Sequence, residues 1–383
     1  MLLWKDPSSS VVARFGIAGD FLPASGLHPT GPQTWAGMAA PLSTAFEDLD
    51  FALVNLECPV NVGSLPPRMK AALGDNFSAP PESLDYLRAL KCRVVSLANN
   101  HSYDFGSPGV STTRAALDTA GIISLGVDSS LTDPPEVYVL NIGAAARVGI
   151  WCSALEIREC ATKNQRGLEP ATMERGRAAL AALSSQGVTC CVAFLHAGAE
   201  GTNRPDPVAV EVMNSLARDG FHIVAACHSH RTSGFADLVQ PSSPYPAFCF
   251  YGLGSLSSGV MYSELEREAL MASIGINSEG RVVQVEAKPL YLAGRGWASI
   301  PTREQEESIL ARFLSVSREI LDGSYKQAFY KDIGENFLQT HWRDLRLAFS
   351  RAGVRGVLQK VARLRKGHFR ALLHSSVRTG RTS

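Results

Sequence analysis

Seven short apolar runs of strand length recur along the first 230 residues, at 11–18, 51–56, 94–98, 137–142, 148–152, 188–195 and 223–226. Helical patterns lie between several of them, at 81–90, 110–120, 171–185 and 207–217. A run that is apolar throughout, yet too short for a buried helix, reads as a strand covered on both faces. Alternation of such strands with helices specifies an α/β architecture. After Pro246 the texture changes. Segments 247–251, 268–276 and 281–290 read as antiparallel strands, with a hairpin turn at Asn277-Ser278-Glu279-Gly280. Gly294-Arg295-Gly296 marks the expected boundary between a main domain over 10–293 and a basic helical region over 294–383.

With 383 residues, 45% hydrophobic and 19% charged, the chain is long enough for a full core. Collagen-like, disordered and disulfide-scaffold classes are excluded. The formal net charge of +1 hides an asymmetry. Residues 341–383 carry 11 Lys+Arg against the single acidic Asp344, a net of +10, and the remainder carries −9. In the tail, Val354, Val357, Leu358, Val361 and Leu364 follow near-helical spacing. Lys5, Asp6 and Pro7 interrupt the N-terminus too early for a signal core, and no apolar stretch is long enough to span a bilayer. A cytoplasmic protein is expected, with peripheral membrane contact as the alternative. The eight cysteines form no C-x-x-C pair and read as buried thiols.

Five of the apolar runs end in residues able to bind a metal. They end at Asp20, at Glu57, at Asn100-His101, at His196 and at His228-Ser229-His230. Ligands in α/β folds collect at the carboxyl ends of strands. Carboxylate, amide and imidazole together suit one or two divalent ions, with Mn, Zn, Fe, Mg and Ca all compatible. His228 and His230 face one side if the segment is extended. Any one of these residues alone has an ordinary structural explanation. Five polar strand ends at once are better explained by a shared metal site.

The order Gly-Asp, Asn-Leu-Glu, Asn-Asn-His, His-x-Gly-x-Glu, His-x-His, Tyr-x-Leu-Gly resembles the bacterial capsule-synthesis CapA (poly-γ-glutamate biosynthesis) family. The resemblance runs over about 12–292 and is densest from Phe77-Ser78-Ala79-Pro80-Pro81 to Asn99-Asn100-His101-Ser102-Tyr103-Asp104. It implies the calcineurin-like metallophosphoesterase fold, a four-layer α/β/β/α sandwich. It also implies roles. Glu57 bridges two metal positions, with Asn100, His196 and His228 completing one, and Asp20 and His230 the other. His101 stands beside the metal as acid/base, oriented by Asp104 or Asp20. Asn99, Glu200 and Tyr251 are the expected substrate contacts. The sequence departs from the family at Ala197, Cys227 and Ser255, and no histidine stands two residues after Asp20.

Together with these residues, the resemblance implies three candidate functions. The first is a metal-dependent hydrolase of capsule, poly-γ-glutamate-type or peptide biosynthesis, phosphoesterase-like in its chemistry. The second is a metal-dependent epimerase that inverts an α-carbon of a ribosomal, lasso-type peptide, with His101 and either His228 or His230 on opposite faces. The third is non-catalytic handling of an anionic polymer. Expected partners are a peptide or anionic polymer substrate and an anionic membrane surface or acidic partner at the basic tail. Sequence-specific nucleic acid binding is not expected.

Overall fold

The computed structural model describes residues 1–334 except 25–26, 69–75, 143–145, 242 and 262, and also residues 349, 353 and 354. Most of the basic segment 341–383, with the expected apolar positions Val357, Leu358, Val361 and Leu364, lies outside the described residues.

In chain order the first strands are β1 (Leu2–Lys5), β2 (Ala13–Leu22), β3 (Phe51–Leu56), β4 (Cys92–Ser96) and β5 (Ile123–Leu125). Then come β6 (Tyr138–Ile142), β7 (Ala146–Ala154), β8 (Cys190–Ala197), β9 (Ile223–His228) and β10 (Phe235–Leu238). The last are β11 (Ala247–Phe250), β12 (Ser255–Ser258), β13 (Glu268–Ile276), β14 (Val282–Ala293) and β15 (Trp297–Ser299). The helices are α1 (Trp35–Met38), α2 (Ser43–Phe46), α3 (Leu84–Ala89), α4 (Gly106–Ala120), α5 (Met173–Ser185), α6 (Pro207–Asp219) and α7 (Arg303–Asp322).

Among the described residues two sheets form. The nine-stranded sheet has the order β1-β14-β13-β2-β3-β4-β5, with β12 added to β2 and β15 to β14. The six-stranded sheet has the order β10-β11-β9-β8-β7-β6. Strands β2 to β5 are mutually parallel, as are β7, β8 and β9. The parallel strands are mostly apolar because both their faces are covered, with Arg93 of β4 an exposed exception. One face of each sheet meets the other sheet through Phe15, Ile17, Phe51, Val192, Phe194 and Phe248. On the far side of the first sheet, Leu84 and Leu87 of α3 and Val110 and Leu117 of α4 pack. Ala179 and Leu183 of α5 and Met213 and Leu216 of α6 pack on the second. The result is the expected α/β/β/α sandwich of four layers.

Two expectations change. Segment 247–250 is not purely antiparallel: β11 joins the second sheet parallel to β9 and antiparallel to β10. Gly294-Arg295-Gly296 is the turn of a β14–β15 hairpin, so the first sheet continues through the expected 293/294 boundary. Helix α7 then packs back onto the body. It opens with a capping box between Thr302 and Gln305, and buries Ile309 and Phe313 in the layer between the sheets.

The central strand β2 is paired twice on one edge. Ala13–Ala18 bond to β13, and Asp20–Leu22 bond to β12. The switch occurs at Gly19, where an added Cβ would sit 1.8 Å from the Gly254 carbonyl oxygen. Glycine is required there because backbone meets backbone. The neighbouring Asp20 amide donates to that same oxygen at 3.2 Å.

Candidate metal centre

The carboxyl ends of β2, β3, β4, β8 and β9 converge between the two sheets. Asp20 lies in β2, Glu57 follows β3, Asn99 to His101 follow β4, His196 lies in β8 and His228 ends β9. Donor atoms of Asp20, Glu57 and His230 lie within 4.8 Å of one another, as do those of Glu57, His196 and His228. Glu57 belongs to both sets. Each set pairs carboxylate oxygen with imidazole nitrogen at a buried or half-buried position, a donor chemistry that fits a divalent cation.

Asp20 is held by both of its carboxylate oxygens. Its Oδ1 accepts from Asn55 Nδ2 at 2.8 Å, and its Oδ2 accepts from the His228 amide at 3.1 Å and lies 3.2 Å from His230 Nδ1. His230 Nδ1 is also 3.2 Å from Ser255 Oγ. His196 Nε2 faces Asn100 Oδ1 at 2.8 Å and Glu57 Oε1 at 3.6 Å, and its ring centroid is 4.3 Å from that of His228. The His-x-His pair converges by a different route from the expected extended segment. His228 has φ +117° and His230 φ +55°, so a left-handed turn aims the two rings. Non-glycine residues hold such values only where their surroundings enforce them.

Electrostatics sort the cluster. Burial pushes the Asp20 carboxyl up, but the hydrogen bond from His230 and the charges of His230 and His196 outweigh it and leave Asp20 below the usual carboxylate range. Burial and the neighbouring His228 hold His196 well below the ordinary histidine value, so its ring is neutral. For His230 burial acts downward, but the charge of Glu57 and the hydrogen bond and charge of Asp20 win, and the ring binds its proton tightly.

His101 sits at the edge of this cluster, near enough for its charge to act on His196. Its Nδ1 is 2.9 Å from Asp104 Oδ2, an oxygen that also accepts from the Phe77 amide at 2.8 Å. The Phe77 ring lies against the imidazole with centroids 4.6 Å apart. The carboxylate paired with His101 is therefore Asp104, whereas Asp20 contacts Asn55, His228 and His230. Glu200 is exposed on the loop after β8, with its charge acting on His230.

Two expected substrate contacts do not reach the cluster as ligand-facing groups. Tyr251 packs under the second sheet, where its hydroxyl donates to Asn214 Oδ1 of α6 at 2.6 Å. The pleat sends this side chain to the helix layer. Asn99 is buried, and its amide is used inside the protein, as described below. Two further residues were not anticipated from the sequence. Asn55 contacts Asp20 directly, and Cys227 Sγ lies 3.6 Å from His196 Nδ1. Cys227, Asp20 and His196 form a third close group, but Asn55 Nδ2 already stands there, 2.8 Å from Asp20 Oδ1 and 3.4 Å from His196 Nδ1. Burial and then the Asp20 charge keep the Cys227 thiol protonated. All eight cysteines are free, seven of them buried.

The model of the bacterial capsule synthesis protein family PGA_cap matches residues 14–259. The chain belongs to the PGA_cap family. The matched region holds every donor residue of the two sets. Proteins similar to this chain include the capsule biosynthesis protein CapA of Bacillus anthracis, 24% identical over 219 residues, which are 56% of this chain and 52% of CapA. A probable polyglutamine synthesis accessory protein of Mycobacterium tuberculosis is 33% identical over 108 residues, 28% of this chain and 27% of that protein. The chain thus spans about half, or less, of the length of these relatives. Solved structures similar to this one include the calcineurin-like phosphoesterase YfkN from Bacillus subtilis, with TM-score 0.46 and 12% identity over 80% of this chain and 99% of that one. Another is the NAD nucleotidase NadN of Haemophilus influenzae, with TM-score 0.45 and 13% identity over 79% and 56%.

Proposed function

We propose that this PGA_cap chain is a metal-dependent hydrolase acting on a phosphoester, peptide or anionic polymer of capsule or poly-γ-glutamate-type biosynthesis. The observation that carries the reading is Glu57, shared by two buried carboxylate–imidazole sets beside the His101–Asp104 pair. Asp20 and His230 hold one position and His196 and His228 the other, with Asn100 beside His196. The chemistry a divalent cation supplies when held there is Lewis acidity and a lowered pKa for water. His101 does the proton transfer. Asp104 fixes its Nδ1 side, so Nε2 is the atom that delivers a proton to the leaving group. Phe77 limits rotation of the ring.

The basic segment 341–383 is proposed as the contact for an anionic polymer or membrane surface, because the rest of the chain carries −9.

Metal analysis of three variants tests the reading. Glu57→Ala and His228→Ala should each lose bound divalent metal. His101→Asn should keep the metal and lose ~10²–10⁴-fold of turnover. Full metal content in the first two would overturn the assignment. A mass-spectrometric screen of peptide and phosphoester substrates reads the reaction itself. Product of unchanged mass and inverted chirality would replace hydrolysis with epimerisation.

A further inference from the structure

Between Asp20 and His101 run two buried amides that neither set of donors includes. Asn55 Nδ2 donates to Asp20 Oδ1 at 2.8 Å, and Asn55 Oδ1 accepts from Asn99 Nδ2 at 3.1 Å. The second hydrogen of Asn99 Nδ2 goes to the Leu56 carbonyl at 2.8 Å. Asn99 Oδ1 then accepts from the backbone amide of His101 at 3.1 Å and lies 3.1 Å from Ser102 Oγ. Both asparagines are fully buried.

The direction of this chain is set by the backbone. The Leu56 carbonyl can only accept and the His101 amide can only donate, so Asn99 turns its NH₂ to the first and its oxygen to the second. Its other N–H then meets the oxygen of Asn55. The NH₂ of Asn55 is left for the Asp20 carboxylate. Flipping either side chain sets oxygen against oxygen in a buried place, where water cannot repair the loss.

We propose that Asn55 and Asn99 are positioning residues, a two-amide bridge that holds the cation-binding carboxylate Asp20 and the proton-transfer loop of His101 in one register. The proposal rests on the metal-dependent reading above. Asn99 is the informative half, because it bonds no carboxylate or imidazole side chain yet is placed to control one through Asn55.

Calorimetric titration of the metal-free full chain with Mn²⁺ tests it, on wild type, Asn55→Ala, Asn99→Ala and the double variant. Asn55→Ala removes the partner of a ligand and should weaken Mn²⁺ roughly 10–100-fold. Asn99→Ala should weaken it roughly 2- to 30-fold. The double variant should be no weaker than Asn55→Ala, because the two act in series. Thermal unfolding of the metal-free variants runs alongside, and Asn99→Asp, of equal shape but without the NH₂ donor, repeats the test if the alanine variant does not fold. A merely structural role lowers the melting temperature and leaves the Mn²⁺ affinity of the folded variant unchanged, which would overturn the bridge alone. Additive losses would also overturn it. A wild type that takes up no Mn²⁺ would overturn the metal reading and the bridge with it.

Discussion

At the residue scale the histidines separate by what faces each nitrogen. His222 lies far from the donor sets in its contacts: its Nδ1 accepts from the Cys191 amide at 3.0 Å, which requires a neutral ring. Burial holds its pKa below the ordinary 6.5. A depressed histidine stabilises the fold fully above the unfolded value, and that contribution fades as pH falls, since the unfolded chain takes up the proton first. Unfolding free energy should therefore fall below pH ~6.5, with His222 supplying up to about 1.4 kcal/mol per pH unit. Denaturant titrations of wild type and His222→Gln at pH 7.5 and 5.5 measure this, and equal slopes for both would refute it. The ligand-type residues were readable in the sequence because a polar residue ending an apolar run is a local signal. Asn55 was not, because its meaning depends on Asp20 and Asn99, partners 35 and 44 residues away, one in β2 and one after β4. Tyr251 misled for a related reason, since the side a residue takes at a strand end is fixed by pairing and not by its own sequence.

Element by element, the helix α7 shows how material outside the matched family region supports the site. Arg204, in the loop that follows β8, donates to both oxygens of Glu319 at 2.9 and 3.0 Å and to Asp332 at 3.2 Å. Asn203 of that loop donates to the Thr232 carbonyl, and Arg231 donates to the Gly201 carbonyl, at 2.9 and 2.7 Å. Through these bonds α7 and the helical residues 325–334 that follow it brace the segment that carries His228 and His230. The brace is anchored by Phe313, fully buried between the sheets. Phe313→Ala should cost about 3–5 kcal/mol of stability, read as a lower denaturant midpoint. An unchanged midpoint would mean that α7 docks without that anchor. The helix itself was legible from Thr302 onward. Its docking was not, since a Gly-Arg-Gly turn looks the same whether it joins two strands of one sheet or two domains. Here Gly294 and Gly296 take φ +52° and +114°, as a tight hairpin needs.

For the whole molecule the charge division is the largest-scale feature. Among the described residues no helix is long and apolar enough to cross a membrane. Deleting 341–383 leaves a chain of net −9 with all donor residues intact. That chain should bind Mn²⁺ as wild type does and should lose salt-sensitive retention on immobilised poly-γ-glutamate. Retention equal to wild type at the same ionic strength would refute a docking role for the segment.

The double pairing of β2 also dictates when the site can exist. Asp20 is made before both of its later partners: its amide waits for the Gly254 carbonyl, and its carboxylate waits for the amide of His228. At about 5–20 residues per second, that interval of synthesis lasts on the order of 10–50 s. Asp20, Glu57 and Asn100 are all made before His196, His228 and His230. Neither donor set can therefore be completed until His228 and His230 have been made, so any cation that the two sets hold would be taken up late in synthesis or after it.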